Sequence, residues 1–147
     1  MRISAKARYG LATMTYFSLR YPYQLKFTVS EVSESLQISK IYLEQVFTQL
    51  RKAGIVQATK GPQGGYSLTR KPEEITVFEV LDATETGLFE NTAATVEEGA
   101  SYLEQAMESV VFSPLDETVR GMLSGITLSQ LAKKAADSNT AGYMYYL

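Results

Sequence analysis

The sequence predicts a mostly α-helical chain with one small β-hairpin, in the order of a winged helix-turn-helix followed by a C-terminal dimerisation helix. Three observations carry this prediction. Up to Gly54 the chain holds three segments of helical periodicity, each with its own N-terminal capping residue. At residues 59–68, "TKGPQGGYSL" sets three glycines and a proline between two β-forming runs. Beyond residue 100 a helical stretch carries too many apolar side chains to stand alone.

The elements follow in order. Ser4 is a plausible N-cap for a helix over 5–20, in which Tyr9, Ala12, Tyr16 and Leu19 recur at three- and four-residue steps. "YPYQ" (21–24) breaks it, because Pro22 lacks a donor and pushes Tyr21 out of the α region. Thr28 with Glu31 forms a capping box for a short second helix, with Val29, Val32 and Leu36 on one face. "QIS" (37–39) is a short connection, and Ser39 caps a third helix with Leu43, Val46, Phe47 and Leu50 as its buried stripe. Gly54 ends that helix as a left-handed cap, with Arg51 and Lys52 in the last turn. Runs 55–59 and 65–69 then read as two strands around the tip "KGPQG" (60–64). Pro72 stops the second strand, and Thr76 with Glu79 makes another capping box for a helix over 77–84.

Residues 85–100 are polar and acidic and read as a mobile linker. A helical stretch over 101–123 follows, with a kink or break at Pro114 and Ser113 as its cap. "ITLSQLAKKA" (126–135) is a last short helix, and "YMYYL" (143–147) is an aromatic tail. The expected organisation is a DNA-binding domain at 1–84, an acidic linker at 85–100, and a helical dimerisation region with tail at 101–147. Leu103, Met107, Val110, Val111, Leu115, Val119 and Met122 are the residues expected to pair with a second copy.

Composition narrows the function. The chain of 147 residues has no cysteine and no histidine, so it lacks the thiolate nucleophile, the usual general base and the commonest metal ligands. No catalysis, metal or cofactor is expected. No apolar run approaches a membrane span, and the basic start has no apolar segment behind it, so a cytoplasmic protein is expected. The net charge of −2 conceals an asymmetry. Up to residue 72 there are eleven Lys/Arg against three acids; from 73 onward there are three against thirteen. Such a positive excess is the electrostatic footprint of a polyanion binder, although chance clustering on a solvated surface would look the same.

A winged helix-turn-helix places its third helix in the major groove of DNA. The candidate contacts on and beside that helix are Ser39, Lys40, Ile41, Tyr42, Glu44, Gln45, Thr48 and Arg51. On the wing they are Thr59, Lys60, Gly61, Pro62, Gln63 and Gly64. Arg2, Lys6 and Arg8 surround the start of the first helix, where cations and backbone donors grip a phosphate. Blander readings stand beside these. Tyr42 and Tyr66 adjoin apolar stripes and read as packing residues; Gln45 and Thr48 are groove-facing or merely exposed; Glu44 pairs with Lys40 or Arg51 or accepts from a cytosine. The glycine loop is no ATP cradle, because no Gly-x4-Gly-Lys-Ser/Thr occurs and it joins two strands. A winged-helix module for protein assembly, without specific DNA binding, remains the alternative function.

The runs "MRISAKARYGL", "ISKIYLEQVFTQLRKAGIV", "KGPQGGYSL" and "EEITVFEVLDA" resemble the Rrf-two family of bacterial transcription regulators, closely over 1–84 and more loosely at "ITLSQLA". The resemblance implies a homodimer, a repressor on a palindromic operator in double-stranded DNA, with Ile41, Glu44 and Arg51 facing bases. It aligns Lys60 with a wing-tip position that is usually arginine. Many members hold an iron–sulfur cluster on three cysteines in the stretch matching 87–105, and this chain has none there. Cysteine-free members resemble the cysteine-metabolism repressor, which implies control of sulfur metabolism and a cysteine-synthase-like protein partner. "AGYMYYL" is similar to that repressor's ending. Either the tail offers Leu147 to that partner or it folds back onto the dimer helices.

Overall fold

The computed structural model describes residues 1–96 and 98–145, with side-chain surroundings as far as Asn139. Helix α1 (Ala5–Arg20) starts where Ser4 Oγ accepts from the Ala7 N–H at 3.2 Å and ends with Tyr21 extended before Pro22. Helix α2 (Val29–Leu36) opens on a complete Thr28–Glu31 capping box, a device that contributes about 1 kcal/mol. Gln37, in the left-handed conformation, turns the chain toward Ser39, which caps helix α3 (Lys40–Lys52). Gly54, at φ +77°, closes α3 with a Schellman pair: its N–H reaches the Arg51 carbonyl and the Ile55 N–H reaches that of Leu50.

Strands β1 (Val56–Thr59) and β2 (Gly65–Leu68) form the antiparallel hairpin, one residue shorter at an outer end of each run than the sequence suggests. The register Thr59↔Gly65 leaves Lys60–Gly64 as the tip. A 3-10 turn (Pro72–Glu74) leads into helix α4 (Val77–Thr84), opened by the Thr76–Glu79 capping box. Helices α5 (Ser101–Met107), α6 (Ser113–Ser124) and α7 (Leu128–Tyr145) complete the chain.

The core is built from the stripe of α3 (Leu43, Val46, Phe47, Leu50) against Met14 and Phe17 of α1, Val32 of α2 and Val80 of α4. Phe17 stacks on Phe27 with ring centroids 4.1 Å apart, and Phe27 comes from the segment before α2. Phe27 also exchanges both backbone hydrogen bonds with Tyr66, at 2.9 and 2.7 Å, an isolated bridge beside the two-stranded hairpin.

Several expectations need correction. The buried face of α1 is formed by Ala7, Gly10, Thr13, Met14, Phe17 and Ser18, while Ala12 and Leu19 are exposed. The helix is sandwiched between α3, α4 and α7, so a single apolar stripe does not describe it. Pro114 does not break the helix. A π-helical turn (Glu108–Phe112) precedes it, the Ser113 N–H bonds back to the Glu108 carbonyl, and the wider turn accommodates the proline ring. Ser113 is itself helical (φ −62°, ψ −48°), so it is not a cap; its hydroxyl donates to Glu108 Oε1 at 2.9 Å.

The linker makes specific side-chain contacts. Arg120 of α6 lies over the rings of Phe78 (α4) and Phe89 (linker), and its Nη2 donates to the Phe89 carbonyl at 3.0 Å. Further on, Glu104 accepts from the backbone N–H groups of Thr95 and Val96. The last helix is longer than expected and does not travel with α5 and α6. Leu128 and Ala132 are buried, Leu128 within the main core, and the Ile75–Val77 segment is zipped to Ile126–Leu128 by two backbone hydrogen bonds. Helix α7 continues through Tyr145, into the expected tail; Tyr146 and Leu147 lie outside the described residues.

Candidate nucleic-acid interface

The four core residues of α3 fall on one face, so its other face is presented outward. Lys40, Ile41, Tyr42, Glu44, Gln45, Thr48 and Arg51 are all exposed. Ile41 is 73% exposed on this outward face. Glu44 forms no ion pair among the described residues, so its pairing with Lys40 or Arg51 is absent. The Thr48 hydroxyl donates to the Glu44 carbonyl at 2.7 Å, which commits its proton to its own helix and leaves its lone pairs free. Ser39 spends its hydroxyl on the Tyr42 N–H.

The wing tip is exposed at Thr59, Lys60, Gly61, Pro62 and Gln63, and half-buried at Gly64. A single internal hydrogen bond, Gly64 N–H to the Gly61 carbonyl at 2.9 Å, closes its turn. Gly61 sits at φ +100°, and a Cβ on Gly64 would lie 2.2 Å from the Thr59 carbonyl oxygen, so both glycines are required by geometry.

Aromatic contacts tie these parts together. Tyr66 of β2 stacks on Phe47 of α3 at 4.2 Å, nearly parallel, so the wing is braced on the inner face of the helix that carries the outward candidates. Tyr42 of α3 meets Tyr9 of α1 edge-on at 5.3 Å, which brings the start of α1 beside the start of α3. Both tyrosines therefore pack, Tyr42 while still exposed. Arg2 and Arg8 are exposed and Lys6 is half-buried. The Glu85 carboxylate accepts from the Ser4 N–H at 2.8 Å and places a negative charge at the positive end of the helix.

One cation beside the wing escaped the sequence reading. Lys26 precedes the Phe27 bridge, and its Nζ donates to the Gln63 carbonyl at 3.1 Å. Its place in the chain gives no hint of this, because the contact spans 37 residues.

The apolar residues expected to pair with a second copy sit on α5, the π turn and α6. Leu103, Val110, Val111, Leu115 and Met122 are exposed; Met107 and Val119 are half-buried. Tyr102 on α5 and Phe112 on the π turn are exposed as well and were missed.

Residues 87–105 do not fit an iron–sulfur cluster. They contain no thiolate or imidazole, and among the described residues no cluster of three or more acidic, cysteine or histidine side chains could hold a metal. Glu104, the carboxylate with most contacts there, is occupied by backbone donors.

Comparison with known proteins agrees with this architecture. The Rrf2 family profile, described as an iron-dependent transcriptional regulator, matches residues 3–134. The HTH-type transcriptional regulator IscR of Photorhabdus laumondii is 32% identical over 142 residues, covering 97% of this chain and 85% of that protein. IscR of Cereibacter sphaeroides is 41% identical over 86 residues, 58% of this chain and 56% of that one. CymR (YrzC), the global cysteine regulator of B. subtilis, superposes with a TM-score of 0.73 at 27% identity, covering 91% of this chain and 98% of that one. The T. potens IscR structure gives 0.73 at 29%, covering 99% and 97%. No described helix is long and apolar enough to cross a membrane. The chain belongs to the Rrf2 family of winged-helix, DNA-binding transcription regulators, which are not enzymes.

Proposed function

We propose that the chain is a cytoplasmic, homodimeric repressor that recognises a palindromic operator through α3 and the wing, without an iron–sulfur cluster. The observation that supports this best is the outward face of α3, free of ion pairs among the described residues and stacked through Phe47–Tyr66 on a cationic wing. Ile41, Glu44 and Arg51 are the base readers in this reading, with Ile41 suited to a thymine methyl and Glu44 to a cytosine amino group. Lys60 brings charge to the minor groove, and Arg2, Lys6 and Arg8 meet phosphates. The exposed apolar surface of α5 and α6 supports a second copy as its cover, and two-fold symmetry then explains a palindrome. The domain organisation follows: DNA binding by 1–84, pairing by α5 and α6.

Control of cysteine or sulfur metabolism is supported by the cysteine-free composition and by the likeness to CymR, the global cysteine regulator of B. subtilis. A cysteine-synthase-like partner met through residues 143–147 belongs to the same reading. Recovering bound DNA from the native host and measuring its affinity against salt tests the core of it. A palindrome bound with a steep loss of affinity as salt rises is expected, and Lys60→Ala weakens it while the dimer persists. A shallow slope with no protected site rejects specific DNA binding. Deleting residues 143–147 tests the partner: unchanged partner affinity with a lower melting temperature rejects it.

A further inference from the structure

We infer that Lys26, outside both the helix-turn-helix and the hairpin, is a phosphate-contacting residue of the wing. This rests on the DNA-binding reading above and adds a residue to it.

The tip needs an outside support. Its only internal backbone hydrogen bond is that of Gly64 to Gly61, and a two-stranded ribbon is a weak lever. The support comes from residues 26 and 27. Phe27 pairs with Tyr66 by two backbone hydrogen bonds, and Gly65 lets them approach, since a Cβ there would lie 2.6 Å from the Phe27 carbonyl oxygen and 3.2 Å from Lys26 Cγ. The Lys26 stem thus runs along the start of β2, and its ammonium reaches the Gln63 carbonyl at the tip. An ammonium has three donors and Gln63 takes one. Lys26 is exposed and forms no ion pair among the described residues, so its charge is not neutralised by a carboxylate. It stands beside the same tip that carries Lys60, and a cation so placed meets whichever phosphate flanks the groove that the wing enters.

The test is Lys26→Met, which keeps the stem and removes the charge, with Lys26→Arg as the rescue and Lys60→Ala as the comparison. Affinity for the operator and for random duplex DNA is measured across salt concentrations, with dimer state and melting temperature checked for each variant. In a dimer with two wings, the Met variant loses two contacts. The slope of log affinity against log salt then falls by about two, and binding to both DNAs weakens by a similar factor. Arg restores the slope. A dimeric, folded Met variant with the wild-type slope overturns the inference, as does a loss confined to the operator. If the wild type itself shows no steep salt dependence, the DNA-binding reading fails instead, before Lys26 is in question.

Discussion

Gly10 and Thr84 offer a sharp test of how α1 and α4 are packed. Gly10 is buried in the middle of α1, and a Cβ added there would lie 2.9 Å from Thr84 Cγ2. Carbon atoms pack best at about 3.5–4.0 Å, so Gly10→Ala forces a shift. Thr84 cannot turn its methyl away freely, because it is buried and its hydroxyl donates to the Val80 carbonyl at 2.7 Å. Overpacking costs about 1–3 kcal/mol, while replacing a mid-helix glycine returns about 1 kcal/mol. The net for Gly10→Ala is a loss of about 1 kcal/mol, or about 3 °C in melting temperature for a chain of this length. Thr84→Ser keeps the hydroxyl and deletes the offending methyl, which alone costs about 1 kcal/mol. Together the two changes move one methyl across the interface. The double variant returns to wild-type stability or exceeds it, a favourable coupling of about 2 kcal/mol. Denaturant melts of all four proteins at matched concentration measure this. If the double variant shows the plain sum of the single losses, within about 0.5 kcal/mol, the close approach of α1 and α4 is refuted.

Other predictions follow from particular contacts. Arg120→Met removes the stacking on Phe78 and Phe89 and the bond to the Phe89 carbonyl, a loss of about 1–2 kcal/mol. Amides of residues 86–90 then exchange faster while those of α3 stay protected; unchanged exchange would show that the linker is held by something else. For Glu79, burial pushes the carboxyl up, but the Arg70 hydrogen bond, the Thr76 N–H and the Arg70 charge outweigh it and hold it below 4.5. Its contribution is therefore full above the unfolded value and is lost as pH falls through the folded one. Glu79→Gln flattens the acid limb of stability against pH below about 4.5, and identical acid limbs for the two proteins would contradict the pairing. Because residues 87–105 suit no cluster, a strong iron chelator leaves the wild type's DNA affinity unchanged, and a loss restored by iron would disprove that.

What the sequence by itself determined was whatever short-range chemistry decides. Ser4, Thr28 with Glu31, Ser39, Gly54 and Thr76 with Glu79 satisfy backbone groups three or four residues away, so their caps are legible without a fold. The outward face of α3 follows from the apolar stripe opposite it, and the wing follows from glycines demanded by the turn. Only the tertiary structure decided which surfaces those elements bury. Helix α1 packs on three partners, so its buried face departs from a single stripe, and Gly10 is chosen by a methyl 74 residues further along the chain. Leu128 joins the main core from beyond the pairing helices, the π turn keeps α5 and α6 continuous through Pro114, and Arg120 pins the linker. Lys26 reaches the wing tip across 37 residues of sequence. Such contacts depend on the free energy of bringing distant segments together, which periodicity and capping residues do not record.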